Sequence, residues 1–308
     1  MADFAQHGVI GTLHNLRHRS TEELEAELLR HAPETPMSLV LPCLYSELEG
    51  DALTGIVDKL AKVPYLEEII IGLDAADREQ FERARDFFSK LPQRHSILWN
   101  DGPRLLEIDR RLTTENLSPL ERGKGRNVWY CLGYFLASAR SKVVALHDCD
   151  ILTYERDMPA RLFYPLVHPD MDYVFCKGYY YRAAQGRLNG RVFRLLVTPL
   201  IQALQKTTGN NEYLSYMGSF RYALSGEFSM RSEVVTSLRI PSDWGLEIGT
   251  LSEVYRNYSP HRICQVDIAD VYDHKHQDLS PEDSKRGLNR MSIDTVSYTH
   301  LRAHETEE

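Results

Sequence analysis

The chain has 308 residues, of which 43% are hydrophobic, enough for one large domain or two closely fused domains with a buried core. Its 36 lysine and arginine residues are outnumbered by 44 aspartate and glutamate residues, for a formal net charge of −8. This deficit of basic residues argues against a nucleic-acid-binding protein, although a few local basic residues can still hold a small anion. The five cysteines are scattered without a CxxC pair, which predicts neither a disulfide framework nor a zinc site and fits a reducing compartment.

The amino-terminal segment has no uninterrupted apolar stretch, and no part of the sequence approaches the roughly 18 apolar residues of a membrane span. We therefore expect a soluble, cytoplasmic protein. Residues 1–36 are interpreted as an amino-terminal helical segment that precedes the main α/β region. Its helix is predicted over residues 20–31, because Ser20 and Glu23 match a capping box and the leucines that follow share one face.

From residue 37 onward, short apolar runs alternate with helical stretches. The runs lie at residues 38–42, 68–74, 95–99 and 142–148. Continuous β-branched runs bounded by turn residues are typical of strands buried on both faces, and their spacing leaves room for crossover helices. Helices with apolar stripes are predicted at 77–91 and 127–139. The sequence therefore predicts an α/β fold with a mostly parallel sheet and helices on both sides.

After residue 150 the alternation loosens into an aromatic-rich region, which is followed by a helical stretch at residues 192–205. This half is expected to build the rest of a cleft. Residues 296–308 differ in composition from what precedes them and continue no pattern. They resemble translated adaptor sequence, so we expect a non-native tail there.

Two carboxylates, Asp148 and Asp150, follow the apolar run at residues 142–148. Ligand sites in open α/β sheets lie at the carboxyl ends of strands. We expect one of the two side chains to meet a sugar or ribose and the other to meet a cation. A hard divalent ion such as Mg²⁺ or Mn²⁺ takes oxygen ligands and bridges diphosphate oxygens. A solvated strand end or a helix cap would give the same pattern.

A second motif places Gly123 and Gly125 on either side of Lys124, immediately before a predicted helix. Glycines let the backbone approach a phosphate, a helix N-terminus favours an anion, and the lysine adds a positive charge. The GxxxxGK[ST] spacing of a P-loop is absent. The alternative is a flexible surface turn with a solvated lysine.

A third motif follows the first predicted strand. Pro42 is expected to stop that strand, and Glu47 to lie in the next loop, over the same edge of the sheet. A carboxylate at this position could accept hydrogen bonds from a nucleobase or a ribose. The alternative is a charge at the start of a helix.

These three motifs, in this order, resemble the glycosyltransferases of the GT-A fold. More narrowly, they resemble the retaining glucosyl-3-phosphoglycerate synthase family, a group similar to glycosyltransferase family 81, with its GKG-x-x-x-W segment and DSD-type metal motif. The resemblance covers residues 37–279, and GKG combined with DxD is more specific than either motif alone. Segments 190–201, 225–238 and 245–249 and the histidine of VYDHKH strengthen it.

The resemblance implies roles for individual residues. It implies donor binding by Pro42, Glu47, Asp74, Gly123, Lys124 and Asp148. It implies that Asp150 holds the metal together with His274, although the neighbouring His276 leaves that register open. Gly190 and Arg191 match an acceptor-binding pair. Phe193 stands where the family pattern has a threonine, which leaves the identity of the acceptor open.

The implied reaction moves glucose, with retention of configuration, from a nucleotide diphosphate glucose (UDP- or GDP-linked) to a small anionic acceptor, 3-phosphoglycerate. Mg²⁺ or Mn²⁺ is the implied cofactor, and Asp150 and Glu247 are the catalytic candidates. Residues 37–150 then form the nucleotide-sugar-binding half and residues 151–295 the acceptor-binding half. A homodimer is compatible with this interpretation.

Rival hypotheses stay open because a fold does not determine a reaction. One is a related transferase that uses mannose or glycerate. Another is a nucleotidyltransferase or an inverting enzyme, for which Glu247 is the candidate base. The third is a nucleotide-sugar-binding protein without turnover.

Overall fold

A computed structural model describes residues 8–14, 16–119, 121–181, 183–184, 187–188, 190–209, 211–241, 245–273, 292–293 and 296. The strands are β1 (Gly11–Leu13), β2 (Met37–Leu44), β3 (Leu66–Asp74), β4 (His95–Trp99), β5 (Val143–Leu146), β6 (Phe175–Tyr180), β7 (Ala183–Ala184), β8 (Arg187–Leu188), β9 (Phe228–Arg231) and β10 (Ile263–Ala269). The α-helices are α1 (Thr21–His31), α2 (Asp51–Leu60), α3 (Arg78–Phe88), α4 (Pro103–Thr114), α5 (Lys124–Ser138), α6 (Asp157–Val167), α7 (Thr198–Thr208), α8 (Glu212–Gly218), α9 (Ser232–Ser237) and α10 (Leu246–Asn257). Short 3-10 helices lie at Leu16–His18, Tyr45–Glu49 and Pro260–Arg262, and a π-helix lies at Phe193–Val197.

The main sheet has eight strands among the described residues, in the order β1-β10-β6-β9-β5-β2-β3-β4. Neighbouring strands run parallel except at β9, which is antiparallel to both β5 and β6. The predicted α/β fold with a mostly parallel sheet is confirmed. The sheet continues across residue 150 and includes β1 from the amino-terminal segment, so the three predicted segments 1–36, 37–150 and 151–295 share one sheet.

Helices cover both faces of this sheet, as the apolar runs predicted. Successive β2 residues alternate between two cores: Leu39 packs into one and Val40 into the other, and both are fully buried. Helices α2 and α6 contribute to the first core, and α5 and α10 to the second. Burial on both faces explains why the sequence of β2 is a continuous apolar run.

The local signals for helix ends were accurate at α1. The Ser20 hydroxyl accepts a hydrogen bond from Glu23 N at 3.2 Å, and Ser20 N donates to the Glu23 carboxylate at 2.8 Å. The predicted capping box is therefore confirmed. Of the helices in the described part of the chain, none is long and apolar enough to cross a membrane. All five cysteines are buried free thiols.

Two predicted boundaries were wrong. Pro42 does not stop β2, which continues to Leu44. Strand β5 pairs with β2 only as far as Val40, so the missing N–H of Pro42 removes no hydrogen bond to β5. Helix α5 begins at Lys124 itself, three residues before the predicted start, so the lysine is the first residue of the helix rather than part of a preceding loop.

Candidate active site

Lys124 lies between two carboxylates from distant parts of the chain. Its Nζ atom is 2.6 Å from Asp148 Oδ1 and 3.1 Å from Glu247 Oε1. Burial opposes the charge on the ammonium group, but the negative charges of Asp148 and Glu247 outweigh this effect and raise the pKa of Lys124. The GKG motif, the DxD motif and the first turn of α10 therefore meet at one charged group.

The start of α5 is anchored to the sheet by two local features. Gly123, the N-cap residue, has φ +155°, a conformation that L side chains rarely adopt. Asn127, one turn into the helix, donates from Nδ2 to the carbonyl oxygen of Gly72 in β3 at 2.7 Å. The first turn of α5 is thereby held at the carboxyl half of β3, which brings Lys124 to the end of β5.

Asp150 lies in a concentration of negative charge. The pKa of Asp150 is raised to about 7, first by burial and then by the charge of Asp148. The charges of Glu227 and Glu47 contribute to this rise, and the charge of Lys124 opposes it. A carboxyl group surrounded by other carboxylates is stabilised in its ionised form by a cation, so the local charge fits a divalent ion.

The donor chemistry at this position also fits a hard cation such as Mg²⁺ or Mn²⁺, because the side chains of Asp148 and Asp150 offer oxygen atoms. Among the residues that the structure describes, no three acidic, histidine or cysteine side chains converge on one point that could hold a metal ion. His274, the histidine that the resemblance implies joins Asp150 on the metal, and the neighbouring His276 lie outside the described residues.

Glu227 is a residue of this site that the sequence interpretation missed. It is 0% exposed, and its Oε1 atom accepts a hydrogen bond from the Tyr272 hydroxyl at 2.7 Å. The pKa of Glu227 is raised to about 7, because burial and the charge of Asp148 together outweigh the opposing charge of Lys124. Segment 225–238 was noted for its resemblance, but no local pattern distinguishes this glutamate from a surface charge.

Lys177 was missed as well, because its position within an aromatic strand carries no motif. It is 1% exposed and donates from Nζ to the carbonyl oxygen of Ser225 at 2.7 Å. The pKa of Lys177 is lowered to about 8, because burial outweighs the opposing charges of Glu247 and Glu227. A second cation therefore lies behind the carboxylates that contact Lys124.

We expect Lys177 to make the stability of the protein depend on pH above neutrality. Its pKa falls from 10.5 to about 8 on folding, so folding releases a proton between these values and stability rises as the pH increases from 8 to 10.5. A shift of this size corresponds to about 3 kcal/mol. Denaturant titrations across this window should show the rise in the wild type and in Lys142→Met, an exposed-lysine control. The rise should be smaller in Lys177→Met, and equal slopes in all three proteins would contradict the prediction.

The structure puts the other predicted donor residues on the same edge of the sheet. Glu47 lies in the 3-10 helix that follows β2, near enough to Asp150 to raise its pKa. Asp74 is the last residue of β3. Burial and then the charge of Asp101 raise the pKa of Asp74, while Arg126 and Arg122 lower it. Asp74 therefore has a charge environment separate from that of the DxD motif.

The predicted acceptor segment is helical but irregular. Gly190 has φ +73°, and the helical turns from residue 191 pass through the π-helix before α7 begins at Thr198. Pro199 has no N–H to donate to the preceding turn, which favours such an irregularity just before it. Arg191 is exposed at the start of this segment.

Phe193 joins a row of aromatic rings that leads to Glu227. Its ring meets Tyr222 edge to face, with 5.5 Å between centroids, and Tyr222 meets Tyr180 in the same way at 5.4 Å. Tyr180 stacks on Tyr272 at 3.5 Å with an interplanar angle of 4°. The aromatic-rich stretch of β6 therefore connects the predicted acceptor segment with the carboxylate cluster, which fits its interpretation as a cleft wall.

Comparison with known proteins identifies the family. No protein-family model matches the chain. The glucosyl-3-phosphoglycerate synthase of Persephonella marina is 48% identical over 294 residues, which cover 96% of this chain and 72% of that protein. The enzyme of the same name from Methanococcoides burtonii is 42% identical over 263 residues, covering 84% of this chain and 64% of that protein.

The fold has solved counterparts. The crystal structure of glucosyl-3-phosphoglycerate synthase from Mycobacterium tuberculosis with Mn²⁺, UDP and glucosyl-3-phosphoglycerate matches with a TM-score of 0.68 at 22% identity, covering 96% of this chain and 88% of that one. A structure of the same enzyme with Mg²⁺ and UDP matches equally well, with a TM-score of 0.68. The predicted GT-A fold is confirmed. The chain belongs to the glucosyl-3-phosphoglycerate synthase family of glycosyltransferases.

Proposed function

We propose that the chain transfers glucose from UDP-glucose to 3-phosphoglycerate, with retention of the anomeric configuration and with Mg²⁺ or Mn²⁺ as cofactor. The observation that carries this proposal is the meeting of Lys124, Asp148 and Glu247 at the end of β5. The identity of 48% to a glucosyl-3-phosphoglycerate synthase supports the substrates. The Mycobacterium tuberculosis enzyme has been crystallised with UDP-glucose and phosphoglyceric acid, which favours UDP over GDP as the nucleotide of the donor.

The difficult event in this reaction is the departure of the nucleotide diphosphate. Asp150, together with His274, would hold the divalent ion, which would supply Lewis-acid stabilisation of the charge that develops on the leaving diphosphate, and Asp148 would contact the sugar or ribose of the donor. Lys124, cationic across the neutral range, adds positive charge beside the same group. Pro42, Glu47, Asp74 and Gly123, on the edge of the sheet that carries the DxD motif, would line the remainder of the donor site.

Glu247 would orient hydroxyl groups of the sugar or the acceptor. Its carboxylate is 3.1 Å from the Lys124 ammonium, and its side chain is only 14% exposed. The Lys124 ammonium therefore engages this carboxylate within the site. We favour the retaining reaction, in which the leaving phosphate assists the acceptor on the same face, over an inverting reaction with Glu247 as base, because retention is what the family resemblance implies.

Gly190, Arg191 and Phe193 would form the acceptor site. The Arg191 guanidinium, at the start of a helical segment, can make charge-assisted hydrogen bonds to a phosphate or carboxylate. Phe193 cannot donate the hydrogen bond of the threonine that it replaces, and its ring is engaged with Tyr222. We therefore infer that Phe193 acts as an apolar wall of this site.

The buried free thiols of the five cysteines support a cytoplasmic location.

Arg191→Ala is expected to raise the KM for 3-phosphoglycerate by about 10- to 100-fold, the equivalent of one charge-assisted contact, and to leave UDP binding unchanged. Steady-state kinetics with varied acceptor, together with calorimetry of UDP binding, measure the two effects. Arg194→Ala is the matched control, since Arg194 is an exposed arginine in the same helical segment. An unchanged acceptor KM in Arg191→Ala would remove this residue from the acceptor site.

The function itself is tested by measuring transfer from UDP-glucose and GDP-glucose to 3-phosphoglycerate, glycerate and glycerol in parallel. We expect UDP-glucose with 3-phosphoglycerate to be the fastest pair, and proton NMR of the product to show the α-anomeric configuration of the donor. Chelation of divalent ions should stop the reaction. Preference for neutral glycerol, or a β-linked product, would contradict the proposed acceptor or the retaining course.

A further inference from the structure

The turn at residues 225–227, which carries Glu227, is hydrogen-bonded to strand β6. The Lys177 ammonium donates to the carbonyl oxygen of Ser225 at 2.7 Å, and the Ser225 hydroxyl donates to the carbonyl oxygen of Gly178 at 2.5 Å. Gly178 N then donates to the carbonyl oxygen of Glu227 at 2.9 Å. The turn is therefore a rigid part of the sheet rather than a free loop.

Gly226, the residue between Ser225 and Glu227 in this turn, is in close contact with the ion pair of Lys124 and Asp148. A methyl group on Gly226 would lie 2.3 Å from Asp148 Oδ2 and 2.7 Å from Lys124 Nζ. Both atoms are therefore in close contact with the Gly226 backbone. Any displacement of the turn would be passed directly to Asp148.

The side chain of Glu227 reaches a second segment, residues 271–273, which follows β10. Tyr272 donates to the carboxylate at 2.7 Å. The same segment is bound to the chain just after the DxD motif: Leu152 N donates to the carbonyl oxygen of Asp273 at 2.9 Å, and the Thr153 hydroxyl donates to that of Val271 at 3.0 Å. The Glu227–Tyr272 hydrogen bond therefore links the turn beside Asp148 to the backbone that follows Asp150.

We propose that Glu227 and Tyr272 are positioning residues, which hold Asp150 in the place beside Asp148 where it can bind a divalent cation. This proposal rests on the metal dependence of the proposed function. Partners that orient metal ligands without touching the metal typically contribute about 10- to 100-fold to metal affinity. The stacking of Tyr272 on Tyr180 fixes the direction of the phenol, so its hydroxyl cannot follow a displaced carboxylate.

The chain contains a matched control pair far from the DxD motif. Glu68, near the amino end of β3, is also 0% exposed and accepts a hydrogen bond from the Tyr134 hydroxyl, at 2.9 Å. The Glu68 carboxylate also accepts a hydrogen bond from the Ser96 hydroxyl at 2.7 Å and pairs with Arg140 at 3.6 Å. Substitutions at either pair therefore disturb a buried glutamate–tyrosine contact, but only the Glu227 pair borders the carboxylate cluster.

The test measures Mn²⁺ affinity directly, by the loss of the free-ion electron paramagnetic resonance signal during titration of the full chain with UDP present. We expect Tyr272→Phe, which keeps the ring and removes only the hydroxyl, to weaken Mn²⁺ binding by about 10-fold or more. Glu227→Gln should have a similar effect. The double variant should be little worse than either single variant, because the two residues act as one unit.

Glu68→Gln and Tyr134→Phe should bind Mn²⁺ like the wild type. Wild-type Mn²⁺ affinity in a folded Tyr272→Phe protein would overturn the proposal. An equal loss of Mn²⁺ affinity in the Glu68 and Tyr134 variants would also overturn it, because the effect would then come from general destabilisation. If Glu227→Gln does not fold, the milder Tyr272→Phe decides. If the wild type itself binds no Mn²⁺ with UDP present, the proposed metal-dependent function is wrong. If the wild type and Tyr272→Phe bind Mn²⁺ equally well, only the positioning role of Glu227 and Tyr272 is wrong.

Discussion

Asp150→Ala is expected to lower the rate of glucose transfer by at least about 10²- to 10³-fold, the usual loss when a central electrostatic stabiliser is removed. The substitution removes a carboxylate oxygen donor that would hold the cation against the leaving diphosphate. It should not unfold the protein, because the charge of Asp150 is disfavoured by burial and by Asp148 in the absence of a cation. Initial rates with saturating Mn²⁺, together with thermal unfolding, measure both effects.

Asp170→Ala is the control for this variant, because the Asp170 side chain is 90% exposed and lies on a separate loop. It should retain wild-type rates. A folded Asp150→Ala protein with near-normal turnover would exclude the DxD motif as the metal site, and turnover that persists with a chelator present would exclude metal dependence itself.

Gly226→Ala is expected to lower turnover by about 10²-fold, the size of effect that follows a displacement of about 1 Å in a catalytic group. The added methyl group would overlap Asp148 Oδ2 and approach Lys124 Nζ. These atoms end side chains that can move, so the chain should still fold. The ion pair would open instead, moving Asp148 away from the sugar or ribose of the donor and Lys124 away from the diphosphate.

Gly133→Ala is the matched control, since Gly133 lies inside α5, the helix that begins with Lys124, and a methyl group there would meet no atom within 4 Å. Its activity should be unchanged, and its stability should increase by about 0.5–1 kcal/mol, because alanine is the better helix former. Wild-type turnover in Gly226→Ala would show that the contact between Asp148 and Lys124 is not needed for the reaction.

The amino-acid sequence was sufficient for features that depend on neighbouring residues. Apolar runs located β2, β3 and β5, because strands buried on both faces need continuous apolar character, and a shorter run located the half-buried edge strand β4. The capping box located the start of α1, since its two hydrogen bonds join residues three positions apart. The DxD motif was placed correctly at a strand end, because it directly follows the apolar run of β5. The GKG and DxD motifs in this order resemble those of a known family and so indicated the family.

The tertiary structure alone decided which charges face each other. Glu227 and Lys177 are each separated from Asp148 by many residues, and they reach the site only because β9 inserts antiparallel between β5 and β6. Nothing in the sequence around them distinguishes them from surface charges, since burial and pKa are set by neighbours in space. The continuation of β2 through Pro42 was likewise decided by the length of β5, which ends before the proline and so leaves no hydrogen bond for it to break.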